Sequence, residues 1–247
     1  MMQLVIDEGN TLVKVAVFNQ NELVWTETYP TIDTTVLTAI FSNYSISKAI
    51  VSSVRKGVEA WQQQLEQHVG IVPFSRSMAY GIQNHYRTPN TLGVDRLAAV
   101  TGARHLYPDM DNLIIDAGTC ITYDSVDRQG NYYGGSISPG LNMRYQALSH
   151  YTAALPLVKI DEGFNNTYGD DTVNAIHSGV QNGILYEVEG FIHNYLKANE
   201  SANVILTGGD GVFLHTLLKN SIFAGYIKTE PYLVLKGLNA AITKHND

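Results

Sequence analysis

The sequence predicts an α/β fold made of two lobes, each a mixed sheet flanked by helices, with the second lobe repeating the first. Three observations carry this. The run Leu4-Val-Ile-Asp-Glu-Gly-Asn-Thr-Leu-Val-Lys14 has a second copy in Leu113-Ile-Ile-Asp-Ala-Gly-Thr-Cys-Ile-Thr122. Each copy opens a strand–turn–strand–turn–strand order. Between the copies, and after the second, the apolar period changes from two to that of a helix. The segment Tyr107–Asn112 is the boundary candidate, which gives lobes at residues 1–110 and 111–247.

Taken in order, strands are expected at about 2–7, 11–18 and 22–29, separated by the hairpin signals Glu8-Gly9-Asn10 and Asn19–Asn21. Lys48–Val54 reads as a buried strand, with Ala49, Ile50, Val51 and Val54 apolar. Val58, Trp61, Leu65 and Val69 then recur at helical spacing. Ile71–Phe74 is a short strand, and Ser75–Asn90, weakly periodic and rich in polar and aromatic residues, is a functional loop. A helix runs from near Asp95 to about His105 and stops before Pro108. The strand order restarts at 113–116, 119–125 and 132–137, followed by a helix over 140–153. Asp171–Lys197 is the longest periodic segment, with Val173, Ile176, Val180, Ile184, Val188, Phe191 and Ile192 on one stripe. Asn203–Leu206 is a strand leading into Thr207-Gly-Gly-Asp-Gly211 and a helix. A last helix covers about 232–245.

Composition narrows the function. The chain has 247 residues, 45% of them hydrophobic, enough for a real core. Net charge is −7, with no basic cluster, which disfavours a nucleic-acid-binding surface. A DNA-binding regulator is disfavoured for the same reason. The single cysteine, Cys120, excludes an internal disulfide and fits a reducing compartment. The N-terminus reads as a strand rather than as a leader, and no apolar run approaches the roughly 20 residues of a membrane span. A cytoplasmic protein is expected. The eight histidines show no metal-ligand spacing.

The two repeated hairpins pair a carboxylate with glycine amides. Gly9 and Gly118 lack Cβ, so a phosphate can approach the main chain there. Gly9, Asn10 and Thr11, and Gly118 with Thr119, offer N–H and O–H donors. Lys14 can reach terminal phosphates as a point charge. One of the carboxylates, Asp7 or Asp116, can serve a cation, which phosphoryl transfer needs to offset developing charge. The glycines at 208–211 form a shelf for a nucleoside. In Thr88–Ala99, Asp95 has the chemistry to orient an attacking hydroxyl and finally accept its proton. Arg96 offers a bidentate fork for a carboxylate or phosphate.

The order phosphate, phosphate, nucleoside resembles that of the sugar kinase, Hsp70 and actin group. Leu92-Gly-Val-Asp-Arg96, Tyr132-Tyr-Gly-Gly-Ser-Ile-Ser-Pro-Gly140 and Leu148–Pro156 then resemble, in order, the motifs of type III pantothenate kinases, a short-chain family of actin-like ATPases. The resemblance runs from residue 3 to residue 240. It implies two actin-like (ribonuclease H-like) lobes with ATP in the cleft between them. It also implies phosphorylation of pantothenate by ATP, the first step of coenzyme A synthesis. It implies that Asp7, Glu8, Gly9, Asn10, Thr11, Leu12, Val13 and Lys14 form the first ATP phosphate loop and that Thr119 is a second ATP contact. Asp95 corresponds to the proton acceptor, and Tyr86, Gly93, Val94, Asp95, Arg96 and Thr172 to pantothenate contacts. Asp116 corresponds to the ligand of a monovalent cation, K+ or NH4+, used beside Mg2+. The family's homodimer, with substrate sites at the subunit interface, is implied as well. Glu8 departs from the small or apolar residue usual there; strand alternation, which sets it opposite Asp7 and Gly9, predicts that it points outward. The readings set beside this one are another small-molecule kinase of the same superfamily and a non-catalytic ATP-binding regulator.

Overall fold

The structure, a computed structural model, describes residues 2–55, 57 and 60–245. Val58, which opens the helical spacing read from the sequence, lies outside the described residues. The chain divides into two compact units. The first comprises residues 1–109, 128–133 and 232–247, and the second residues 110–127 and 134–231. The contiguous division at residue 110 expected from the sequence omits the two returns to the first unit, at 128–133 and at the last helix.

The first unit begins with β1 (Met2–Glu8), β2 (Val13–Asn19) and β3 (Glu22–Tyr29), followed by α1 (Thr34–Asn43), β4 (Ile46–Ser53), α2 (Ala60–His68) and β5 (Ile71–Pro73). The sheet order is β3-β2-β1-β4-β5, antiparallel across β1, β2 and β3 and parallel across β1, β4 and β5. Sequence periodicity missed α1. Its start is nonetheless written in the chain: the Asp33 carboxylate accepts from the Val36 amide, and Leu37 and Ile40 follow at helical spacing. Both pack with Trp61 and Leu65 of α2 onto Leu4, Ile6, Val15 and Val17 of the sheet.

After β6 (Gln83–Asn84) comes α3 (Val94–Leu106), which covers the other face of the sheet together with the last helix, α8 (Leu233–Lys244). These two helices meet backbone to backbone. A Cβ on Gly237 would lie 1.9 Å from the carbonyl oxygen of Ala98, and one on Gly102 would lie 2.4 Å from that of Leu233. Only glycine permits this approach, so Gly102 and Gly237 fix how α8 lies on α3.

The second unit contains β7 (Asn112–Ala117), β8 (Cys120–Val126), β9 (Asn131–Pro139), α4 (Leu141–Tyr151), α5 (Thr172–His177), α6 (Gly183–Ala198), β10 (Asn203–Thr207), α7 (Gly211–Leu218) and β11 (Ile227–Thr229). Its strands run in the order β9-β8-β7-β10-β11, the order of the first sheet, and β6 pairs with the first residues of β9. The helical run expected over 171–197 is one length of helix carrying a π-turn at Ser178–Asn182, between α5 and α6. Its predicted stripe is buried at Ile176, Val180, Ile184, Val188 and Ile192 against Leu113, Ile115 and Ile121 of the sheet. Val173 is exposed, because it sits in the first turn, ahead of the packed length.

A polar cluster ties the second unit's elements together. The Glu187 carboxylate of α6 accepts from Tyr123 Oη at 2.7 Å, from Ser138 Oγ and from the Arg144 guanidinium of α4. Burial pushes the Glu187 pKa up, but these hydrogen bonds and the Arg144 charge outweigh it and hold the group below its ordinary 4.5.

Two stability experiments follow from this packing. Alanine in place of a helical glycine ordinarily adds about 1 kcal/mol, yet Gly237→Ala should destabilise, since overpacking costs about 1–3 kcal/mol. Thermal unfolding should show a fall of about 2–4 °C per kcal/mol, and a raised midpoint would contradict the contact. Because the Glu187 pKa is depressed by folding, its contribution is present above the unfolded value and is lost as pH falls through the folded one. Glu187→Gln should therefore be less stable than the parent at neutral pH, and denaturant titrations should show the gap closing as pH falls below the ordinary carboxylate value of 4.5. A gap independent of pH would rule the carboxylate out as its source.

Candidate functional site

The first hairpin is built by β1 and β2. Asp7 stands opposite Lys14 in the antiparallel register and opposite Ser52 of β4 in the parallel one. Directly opposed residues share a face, so Asp7 and Lys14 lie side by side at the hairpin end of two interior strands. Glu8 pairs with Val13, and the loop between them closes with the Gly9 amide donating to the Leu12 carbonyl at 3.0 Å. Asn10, Thr11 and Leu12 are exposed at its tip, whereas Val13 is buried in the core.

Glu8 does lie on the face opposite Asp7, but that face is not solvent. It is the side covered by α1 and α2, and Glu8 is 1% exposed, a correction to the expected outward carboxylate. Alternation assigns a face; whether that face is wet depends on helices the local pattern does not show. Neither Glu8 oxygen has a hydrogen bond. Its nearest cation is the Arg55 guanidinium, with Nη1 at 3.7 Å. The same guanidinium donates to the carbonyls of Gly9 at 3.1 Å and Asn10 at 3.4 Å. Arg55 thus braces the loop from behind. A single sequence gives no sign of this, since Arg55 follows β4 and lies 46 residues from Gly9.

The start of α3 carries the densest group of predicted residues. Gly93 is its N-cap residue, and no side chain caps the helix there. The Asp95 Oδ1 atom accepts from the Arg96 amide at 2.9 Å. Asp95 is half-buried and Arg96 is buried, with its guanidinium carbon 5.9 Å from the centre of the Tyr86 ring. Tyr86 and Arg96, ten residues apart, are therefore neighbours. A carboxylate, a guanidinium backed by an aromatic face and a helix N-terminus thus converge, a set able to hold an anionic alcohol. The loop before them, read as functional, contains two short 3-10 turns at Arg76–Met78 and Pro89–Thr91. Arg76 pins its end by donating to the carbonyls of Asn90 and Leu92.

In the second unit, Asp116 takes the place Asp7 has in the first, opposite Thr122 on one side and Thr207 on the other. The turn at Gly118–Thr119 closes with the Gly118 amide donating to the Cys120 carbonyl at 2.9 Å. Two other segments press against it. Gly140, preceding α4, would bring a Cβ within 2.1 Å of the Gly118 carbonyl. Gly208, at φ +88°, would bring one within 2.4 Å of Asp116 Oδ1. Beside these glycines, Gly209, Asp210, Phe213, Leu141, Lys159 and Glu162 line a cavity of about 580 Å³. Burial raises the pKa of Asp210 above the ordinary carboxylate range. The sequence singled out Gly209 and Asp210 but missed Lys159 and Glu162, which lie in the irregular stretch between α4 and α5. Thr172 is exposed at the start of α5 and lines a separate cavity of about 370 Å³ with Leu148, Leu155 and Ile176. Cys120 is half-buried, and His177 is a buried core residue bonded to Tyr145. Among the described residues no group of three or more His, Cys, Asp or Glu is placed to hold a metal, and no helix is long and apolar enough to cross a membrane.

Comparison with known proteins bears on this arrangement. The family model of type III pantothenate kinase matches residues 3–194. The type III pantothenate kinase of Phocaeicola vulgatus is 41% identical over 247 residues, covering 100% of this chain and 99% of that one. That of Bacteroides fragilis is 42% identical over 248 residues, covering 99% of each. Among solved structures, a Campylobacter jejuni protein assigned to the Baf family of transcriptional activators aligns over 98% of both chains, with TM-score 0.64 and 19% identity. An activator of 2-hydroxyisocaproyl-CoA dehydratase from Clostridium difficile, with bound ADPNP, aligns over 100% of this chain and 97% of its own, with TM-score 0.56 and 13% identity. These structural likenesses speak to the fold alone, a duplicated actin-like α/β architecture. The family match over most of the chain and the full-length relatives above 40% identity decide the rest: the chain belongs to the type III pantothenate kinase family.

Proposed function

We propose that this protein transfers the γ-phosphoryl group of ATP to the primary hydroxyl of pantothenate, giving 4'-phosphopantothenate at the first step of coenzyme A synthesis. The observation that carries the reading is the start of α3, where Asp95 and the Tyr86-backed Arg96 converge at a helix N-terminus in a chain of this family.

Pantothenate is a carboxylate and an alcohol, and the two charged side chains suit its two ends. Arg96 takes the carboxylate in a bidentate pair. Asp95 accepts a hydrogen bond from the attacking hydroxyl. An aspartate is far too weak a base to deprotonate an alcohol in the ground state. Phosphoryl transfer has a loose transition state in which the proton leaves late, so Asp95 chiefly aligns the nucleophile. Gly93 and Val94 offer main-chain contacts, and Thr172 belongs to the proposed substrate set by the family resemblance. In the first phosphate loop, Gly9, Asn10 and Thr11 supply donors at the exposed tip and Lys14 supplies charge. Glu8, Leu12 and Val13 take part through the backbone, since the buried Glu8 and Val13 side chains face the core. Thr119 is the corresponding donor of the second hairpin, and the cavity beside Gly209 and Asp210 suits a nucleoside in size.

Mg2+ bound with the nucleotide would offset charge on the phosphoryl oxygens. Asp116 fits a monovalent cation: its carboxylate and the neighbouring backbone carbonyls are oxygen donors, which hard cations prefer. A Cβ at position 208 would fill the space beside its Oδ1. The homodimer and the cytoplasmic location belong to the same proposal, resting on the family and, for location, on the single cysteine.

An ADP-release assay with pantothenate present or omitted, each in potassium or in sodium alone, tests the reading. ADP formation should require pantothenate and be greater in potassium. Release with other acceptors but not pantothenate would leave the kinase standing and remove its substrate. Asp95→Ala should lower kcat by roughly 10²–10⁴-fold, and a near-normal rate would take Asp95 out of the mechanism. Asp116→Ala should blunt the potassium response; a variant as sensitive to potassium as the parent would refute the cation assignment.

A further inference from the structure

Arg55 stands just past the end of β4, where the main chain carries on the pairing of β4 with β1. The Val54 amide donates to the Glu8 carbonyl at 3.1 Å, and the Arg55 amide donates to Ser53 Oγ at 3.1 Å. Those bonds set the Arg55 side chain beside the hairpin loop that follows β1. Its guanidinium faces three acceptors. Nε donates to the Gly9 carbonyl at 3.1 Å, Nη2 donates to the Asn10 carbonyl at 3.4 Å, and Nη1 lies 3.7 Å from Glu8 Oε1.

The simplest role for Arg55 is to neutralise the buried Glu8, and the distances show that this is not its whole role. At 3.7 Å the approach to Glu8 is too long for a hydrogen bond, and neither Glu8 oxygen has one. A guanidinium placed by the carboxylate alone would take the bidentate pairing that the two groups favour. Here the hydrogen bonds go to the loop instead.

What the loop gains follows from the geometry of the peptide unit. In a planar trans peptide the C=O and the next N–H point in opposite directions, and both peptides are trans. Holding the Gly9 carbonyl therefore aims the Asn10 amide away from Arg55. Holding the Asn10 carbonyl aims the Thr11 amide away from it in the same manner. Asn10 and Thr11 are exposed at the tip of the loop. A carbonyl that accepts from a cation also polarises its peptide, which makes the N–H on the far side a stronger donor. Successive amides aimed to one side make an anion-binding concavity. Arg55 acts through the main chain, because its nitrogens are turned to the two carbonyls and to Glu8.

We infer that Arg55 is a positioning residue for nucleotide binding. On the reading of Gly9–Lys14 as a phosphate loop, it aims the Asn10 and Thr11 amides at the phosphates before the nucleotide arrives. The fork carries this role rather than the charge alone, since one ammonium is a point charge and lacks the rigid fork that spans two carbonyls. Without the fork the loop must be ordered on binding, and the lost entropy weakens affinity.

Arg55→Lys separates the two roles, because it keeps a cation beside Glu8 and loses the fork. Thermal unfolding checks that the variant is folded. Calorimetry with MgADP and steady-state kinetics in ATP and in pantothenate then give the test. Arg55→Lys should weaken MgADP binding and raise KM for ATP, each by about tenfold, the effect of losing a hydrogen bond to a charged group. Turnover at saturating ATP and KM for pantothenate should change by less than about threefold. In 15N relaxation without nucleotide, the order parameters of the Asn10 and Thr11 amides should fall from about 0.85 in the parent to below about 0.6. Should Arg55→Lys fold poorly, Arg55→Gln combined with Glu8→Gln leaves no charge buried at the loop and should show the same rise in KM for ATP. Parental MgADP affinity in a folded variant, or unchanged order of the two amides, would overturn the role of Arg55 and leave the kinase standing. A parent that binds no MgADP would bring down the kinase reading, and the nucleotide role of Arg55 with it.

Discussion

The contact on which the first unit depends is one made without side chains. At Gly102 and Gly237, α3 and α8 meet through their backbones, with Ala98 alongside. The closeness fixes the depth at which α3 lies on the sheet and brings the end of the chain back to the unit where it began. Everything placed at the N-terminus of α3 inherits that position. Asp95 and Arg96 sit on a helix clamped by its neighbour rather than on a loop, which suits the nucleophile-aligning role proposed for Asp95.

Duplication supplies the second constraint. Asp7 and Asp116 occupy the same place in sheets of the same strand order, each flanked by an antiparallel and a parallel neighbour. The copies have diverged in what supports them. The second hairpin is packed by glycines of its own unit, Gly140 and Gly208, which let main chain approach main chain. The first is braced by Arg55, whose guanidinium holds the carbonyls of Gly9 and Asn10 and lies near the buried Glu8. A buried carboxylate with one cation near it and no hydrogen bond is a costly arrangement. It links the shape of the first loop to the charge of Arg55.

Much of the fold was legible in the sequence because its signals are local. The strand–glycine–strand repeats, the stripe from Ile176 to Ile192 and the alanine-rich helix after Asp95 each declare themselves within a few turns of chain. The start of α3 was legible for the same reason: Gly93, Asp95 and Arg96 are contiguous. What stayed hidden depends on distant segments meeting. The return of α8 to the first unit rests on Gly237 meeting Ala98, and no local pattern announces it. Tyr86 beside Arg96, Arg55 beside Gly9, and Lys159 and Glu162 beside Gly209 are pairs that only the folded chain creates. Glu8 shows the limit of alternation, which chooses a face without saying whether a helix covers it. The π-turn within 172–198 likewise leaves the apolar stripe intact and so leaves no mark in the periodicity.

Direct transfer of a phosphoryl group to an alcohol, proposed to be held by Asp95 and Arg96, is tested most directly by the destination of that group. ATP labelled with 18O in its γ-phosphoryl oxygens would be turned over in the presence of pantothenate and the products resolved by mass spectrometry. The account predicts that the labelled phosphoryl group appears intact on the primary hydroxyl of pantothenate, in a one-to-one ratio with ADP. Label recovered only in inorganic phosphate, with pantothenate unchanged, would contradict it.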